Sequence, residues 1–172
     1  MKIGIVGTGK VAYRHFEEFS KIDGVKVEAV CDINSENLNL FTKKFGNHLR
    51  KYSSVDEMLK EEKNFDGICN NTPDRFHKEV SLKILEKGIN IFSEKPLAEN
   101  YKDAKILTDL AHKQKVINMV NFTYRESSGY QKLVETIKSD TLGGIRHVNA
   151  NYYQSWLTSN LWGNWKEEDA WL

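Results

Sequence analysis

The chain has 172 residues, of which 40% are hydrophobic and 28% charged, and its formal net charge is +1. That is enough chain for one well-filled domain with an appendage, and the interspersed charge marks a globular protein rather than a disordered or fibrous one. A charge this close to neutral offers no basic field to nucleic acid or to an anionic membrane surface, so the partners to expect are small molecules and other proteins.

Short apolar runs of strand length alternate with longer stretches of helical spacing, the pattern of βαβ units around a parallel sheet covered on both faces. Residues 2–6 read as the first strand, and 11–20 follow with Ala12, Phe16 and Phe19 at helical spacing as one packing stripe. The second strand is 25–31. A polar helix over 35–45, a weak strand at 51–52 and a short helix over 55–59 come next. Then 66–70 reads as a strand, 74–86 as a helix capped by Asp74, and 89–93 as a strand. Asn100 caps a helix whose inner stripe is Tyr101, Ala104, Leu107 and Ala111, and strand 116–122 completes a doubly wound sheet. Cys31 and Cys69 lie inside apolar strands and read as buried, reduced thiols rather than a disulfide or a metal pair, which fits a cytoplasmic protein. The apolar start is too short for a signal peptide and no later segment approaches the length of a membrane span, so neither export nor anchoring is expected.

From residue 123 onward the character changes. Tyr130, Leu133, Val134 and Ile137 mark a helix, Leu142-Gly143-Gly144 a turn, and 145–156 a long strand with Val148, Ala150, Tyr152 and Trp156 on one face. All four tryptophans, Trp156, Trp162, Trp165 and Trp171, fall in this last stretch, and rings of that size need cover. The expectation is a Rossmann domain over 1–122 and, over 123–172, the start of an α+β second domain that is cut short.

Gly7-Thr8-Gly9-Lys10-Val11-Ala12 follows the first strand and opens the first helix, matching G-x-G-x-x-G/A in the required context. Gly7 permits the tight turn. Gly9 lets backbone N–H groups and the positive helix end approach a diphosphate, and Ala12 lets helix and strand pack closely. Asp32 ends the second strand about 20 residues further on, where a carboxylate accepts hydrogen bonds from an adenosine ribose and repels a 2′-phosphate. NAD is therefore favoured over NADP. S-adenosylmethionine enzymes share this turn and acid, so later residues must decide the chemistry.

Three further signatures end on strands: Asn71-Thr72-Pro73 with His77, Glu94-Lys95-Pro96, and Asn121-Phe122-Thr123-Tyr124-Arg125. The carboxyl edge of an open α/β sheet is where ligands bind, so these segments converge on one crevice with the glycine turn. In this order and spacing they resemble the Gfo/Idh/MocA family, that of glucose-fructose oxidoreductase and inositol dehydrogenase, over essentially the whole chain. Ile91-Phe92-Ser93-Glu94-Lys95-Pro96-Leu97-Ala98 carries the resemblance most specifically, although the family usually has Cys where this chain has Ser93.

The resemblance implies an NAD(P)-dependent oxidoreductase that moves hydride between a nicotinamide cofactor and a sugar, cyclitol or related small alcohol or carbonyl. Lys95 would be the catalytic lysine beside the substrate oxygen, where an ammonium stabilises developing negative charge. Glu94 would lie near the nicotinamide ribose, Asn71, Thr72 and Pro73 would border the cofactor with Asn121, and Arg125 would meet substrate or join an ion pair at a domain junction. His77 enters the cofactor set by motif, while its place on the first turn of a helix reads as a packed structural histidine; His15 likewise reads as packing. A cis bond before Pro96 is left open, and no metal site is expected. In the family a catalytic histidine lies in an Asp-Gly-His type segment of the second domain, beyond Leu172, so this chain is expected to lack it, and a homo-oligomer built through that domain is left open. The competing reading is a non-catalytic dinucleotide-binding module or sensor.

Overall fold

A computed structural model describes residues 1–153 of the chain. The chain divides into two compact units, one spanning Met1–Asn121 and a second that begins at Phe122. In the first unit strands and helices alternate without exception: β1 (Lys2–Val6), α1 (Lys10–Phe19), β2 (Lys26–Cys31), α2 (Ser35–Phe45), β3 (Arg50–Tyr52), α3 (Val55–Glu61), β4 (Gly67–Asn70), α4 (Asp74–Glu86), β5 (Asn90–Glu94), α5 (Tyr101–Gln114) and β6 (Asn118–Asn121). Every strand pair is parallel, and the order across the sheet is β3-β2-β1-β4-β5-β6. The chain winds outward from β1 to β3, returns to β4 beside β1, and winds outward again, which is the Rossmann order.

Parallel strands need helices on both faces, and the two-residue period of the strands divides their side chains accordingly. Ile3, Ile5, Val27, Val30 and Cys69 pack with Ala12 and Phe16 of α1 and Leu38 and Phe41 of α2. Val6, Ala29, Cys31, Ile68 and Ile91 pack on the other face with Met58, Leu59, Val80, Ile84, Leu85, Leu107 and Ala111 from α3, α4 and α5. Both cysteines are buried and free. Among the described residues no helix is long and apolar enough to cross a membrane.

Three sequence expectations are corrected. Asp74 does not cap α4: it is the first helical residue, and the cap position belongs to Pro73, which has no side-chain acceptor to offer. Tyr101 is not in the inner stripe of α5, being 80% exposed, whereas Leu107 and Ala111 are buried. Residues 145–153 form no strand. Alternation alone does not hold an extended backbone, which gains its hydrogen bonds only from a neighbouring strand, and none pairs with it among the described residues.

Within the second unit, α6 (Ser128–Lys138) begins on the Ser127 hydroxyl, which accepts from the Tyr130 amide. Its apolar residues Tyr130, Leu133 and Ile137 are exposed. Gly143 takes a φ of +62° in the following turn, and the rings of Tyr124 and Tyr152 meet edge to face. The expectations placed on Trp156, Trp162, Trp165 and Trp171 lie outside the described residues.

Candidate functional site

Register sets where the strands end. Val6 stands opposite Cys31 on one side and Asn70 on the other, Asn70 opposite Ser93, and Glu94 opposite Asn121. The segments after β1, β2, β4, β5 and β6 therefore leave the sheet along one edge, with the reversal of strand order falling between β1 and β4. Gly7, Asp32, Asn71, Glu94 and Asn121 all lie on that edge.

Gly7 has a φ of +84°, and a Cβ there would stand 2.7 Å from the backbone carbon and oxygen of Asn71. Both conformation and space demand glycine. Gly9 differs: a Cβ would meet no atom within 4 Å, so its surroundings are open where the first turn of α1 begins. Gly9 is also the cap residue of α1 and brings no side chain to that turn. Helices α2, α3, α5 and α6 are capped by the side chains of Asn34, Ser54, Asn100 and Ser127, whereas α1 and α4 have no side-chain cap. These two follow β1 and β4, the strands at the reversal, so the positive helix ends lacking an internal acceptor face the edge where an anion would sit.

Asp32 closes the glycine turn from outside. Its Oδ2 accepts from the Thr8 amide at 2.7 Å and the Thr8 hydroxyl at 2.8 Å, and its Oδ1 accepts from the Asn34 amide at 2.8 Å. Thr8, 1% exposed, thus turns its hydroxyl to Asp32. Lys10 and Val11 are exposed at the start of α1. Asn71 accepts the Cys69 thiol on Oδ1, while its Nδ2 is buried with no hydrogen-bond partner among the described residues. A buried amide donor without an acceptor is costly, and a ligand oxygen would satisfy it.

A buried polar layer lies beneath the other side of the edge. The Asn70 amide nitrogen donates to Ser81 Oγ at 3.0 Å and to the His77 carbonyl at 3.3 Å, and its oxygen accepts from the Thr72 amide and hydroxyl. His77 is fully buried, with Nε2 2.7 Å from the Thr72 carbonyl and Nδ1 on the Pro96 carbonyl. The motif placed His77 with the cofactor contacts; in the fold its two nitrogens face main-chain oxygens of Thr72 and Pro96.

Glu94 is held from two elements. Its Oε1 accepts from His15 Nε2 of α1 and from Asn121 Nδ2 of β6, each at 2.7 Å, and Oε2 accepts from the Lys95 amide at 3.3 Å. Burial pushes this carboxyl upward, but the hydrogen bonds from His15 and Asn121, His15's charge and the Lys95 amide outweigh it, so the group sits below its ordinary value and is a carboxylate at neutral pH. Lys95 itself is exposed, and the Lys95–Pro96 bond is cis. Arg125 belongs to the second unit, exposed, with Nε 3.9 Å from Glu126. Sequence reasoning missed Asn70 and Ser81, and it set His15 aside as packing. An amide closing an otherwise apolar buried strand was the signal for Asn70.

An open Gly9, uncapped helix ends at a strand reversal, a carboxylate closing the turn and an unsatisfied Asn71 amide together fit a dinucleotide, and they define a Rossmann nucleotide-binding unit. The sequence profile of the oxidoreductase family with an NAD-binding Rossmann fold, Gfo/Idh/MocA, matches residues 1–122, and the chain belongs to that family. It is 29% identical over 167 residues to glucose-6-phosphate 3-dehydrogenase of Bacillus subtilis, covering 97% of this chain and 46% of that protein. It is 27% identical to myo-inositol 2-dehydrogenase of Thermotoga maritima, covering 83% of this chain and 42% of that protein. A solved WlbA dehydrogenase of Chromobacterium violaceum, in complex with NADH and UDP-GlcNAcA, superposes with a TM-score of 0.77 at 26% identity over 83% of this chain and 41% of that one. The chain spans less than half the length of the curated relatives it matches.

Proposed function

We propose that this chain is the cofactor-binding portion of an NAD-dependent dehydrogenase acting on a sugar or cyclitol. Residues 1–122 form the dinucleotide domain, and 123–172 open a substrate and oligomerisation domain. The observation that carries the reading is the meeting of the glycine turn and the Glu94-Lys95-Pro96 turn on one sheet edge, on either side of the strand reversal. A dinucleotide spans such a reversal with one nucleotide on each half of the sheet.

The roles follow from position. Gly7 and Gly9 bring the backbone and the uncapped end of α1 to the diphosphate. Asp32 accepts from the adenosine ribose with the capacity left beyond Thr8 and Asn34, and its charge disfavours a 2′-phosphate. Asn71, Thr72 and Pro73 border the middle of the cofactor, with the Asn71 amide donating to it. Bound NAD supplies the hydride acceptor. Glu94, fixed by His15 and Asn121, accepts from the nicotinamide ribose. Lys95 donates from its ammonium to the substrate oxygen and stabilises the negative charge that grows there.

Titration of the chain with NADH, following nicotinamide fluorescence, is expected to saturate, and NADPH is expected to bind more weakly. No saturable binding of either cofactor removes the reading. In the full-length protein, Lys95→Met is expected to lower kcat on its best polyol by at least about 100-fold, the scale of losing one positioned transition-state donor. Full-length protein that binds NADH yet turns over no polyol would favour a sensor.

A further inference from the structure

Lys95 is exposed, so burial does not fix where it stands. Its two sequence neighbours are fixed instead, each by a histidine and each from a different helix. On one side, His15 Nε2 of α1 meets Glu94 Oε1 at 2.7 Å, and the histidine ring is stacked on Phe19 and edge-on to Phe92. On the other side, His77 of α4 faces the Pro96 carbonyl with Nδ1 and the Thr72 carbonyl with Nε2. His77 is 0% exposed and its own carbonyl accepts from Asn70. Burying an imidazole costs stability unless its nitrogens are satisfied, and a packing role alone would be met by an apolar ring. Here the two nitrogens face main-chain oxygens of the two turns that border the crevice, Thr72 before α4 and Pro96 after β5, and a neutral ring donates its single N–H to one of them.

We infer that His15 and His77 are positioning residues for the Glu94-Lys95 pair, one gripping the residue before the lysine and the other the residue after it. Main-chain continuity does the rest: with Glu94 and Pro96 anchored, the Cα of Lys95 has little room to move. Misplacing a reacting group by about 1 Å can cost about 100-fold in rate, so anchoring of this kind bears directly on chemistry. Because the clamp acts on the half of the sheet assigned to the nicotinamide nucleotide, its loss weakens NADH and leaves ADP, which fills only the other half, unaffected. The inference rests on the cofactor reading above.

The test uses paired substitutions that keep or drop one contact. An Asn amide can occupy the place of His77 Nδ1 and hold Pro96, whereas a Gln amide reaches the place of Nε2 and holds only Thr72. Likewise His15→Gln can still donate to Glu94, and His15→Leu cannot. Affinities for NADH and for ADP are measured on each variant, with melting temperature alongside. His77→Gln and His15→Leu are expected to weaken NADH about five- to tenfold, the loss of about one hydrogen bond, with ADP affinity unchanged. His77→Asn and His15→Gln are expected to stay within about twofold of the parent for both ligands. Equal loss within a pair, equal loss of NADH and ADP, or no loss at all overturns the clamp while NADH binding by the parent stands. A parent that binds neither NADH nor ADP overturns the cofactor reading and the clamp with it. The His15 pair, only partly buried, decides the matter should the fully buried His77 variants fail to fold.

Discussion

The two halves of the sheet each end on an acid, and the acids are held in different ways. Asp32 takes its partners from the neighbouring glycine turn and from its own loop, through Thr8 and Asn34. Glu94 takes His15 from 79 residues away in sequence and Asn121 from 27. The first arrangement needs only the pairing of β1 with β2 and the start of the loop after β2. The second exists only when α1, β5 and β6 are all in place, so it reports on the assembled domain. A local motif can therefore be read from spacing, while a site built across elements requires the fold.

The comparison breaks most severely at Gly7. Gly7→Ala forces a side chain into a left-handed backbone position and against the Asn71 main chain, and it is expected to cost at least about 2 kcal/mol of stability together with NADH binding. Melting temperature and NADH titration measure both. Gly9→Ala separates the two effects, since its Cβ meets no protein atom within 4 Å. Stability is expected to fall by less than about 1 kcal/mol, the cost of Ala at a cap position. NADH affinity is expected to fall at least about tenfold, because the methyl group enters the space assigned to the diphosphate. A Gly9→Ala protein that binds NADH like the parent would remove the glycine turn from the site.

Asp32→Asn sharpens the contrast from the adenosine side. The amide oxygen still accepts from Thr8, so the fold is expected to persist, while NADH weakens about tenfold with the loss of the charge-assisted bonds and NADPH no longer meets repulsion. A ratio of NADH to NADPH affinity unchanged from the parent would refute the role. On the other half, Glu94 carries a pH signature. Its folded value lies below the ordinary 4.5, so its contribution to stability is complete above that value and is lost as pH falls through the folded one. In Glu94→Gln the acid limb of melting temperature against pH is expected to be shallower than in the parent. Superimposable acid limbs would show that His15 and Asn121 gain nothing from the charge.

The βαβ alternation was legible because both periods are strong in this sequence, and the turn that Gly7, Gly9 and Asp32 build was legible because it is made by adjacent backbone. Glu94 and Lys95 stood out only through a resemblance, since nothing in their local spacing distinguishes them from solvated loop charges. The contact of His15 with Glu94 was not legible for the reason that separates the halves: its partner is brought to it by the crossing of α1 over the sheet, which no window of sequence contains. Asp74 failed as a cap because proline just before it already fixed the entry of α4. The 145–153 strand failed because period two states a preference of side chains and says nothing of a pairing partner.

The smallest expected effect concerns the two thiols, one in each half. Burial, with smaller contributions from Asp32, Glu57 and Asp56, pushes Cys31 up to about 12. Burial and the charge of Glu94 raise Cys69 as well, against the opposing hydrogen bond to Asn71. Thiolate is the reactive form, so neither should react with a disulfide reagent at pH 8 in the folded protein, and both should react in denaturant. The Cys69 thiol donates to the Asn71 side chain and feels the Glu94 charge, so its silence tests the half of the sheet that is assembled from afar. Rapid labelling of Cys69 with Cys31 silent would mean that β4 opens independently of β2. The half that carries Glu94 would then be the looser of the two, contrary to the anchoring proposed for His15 and His77.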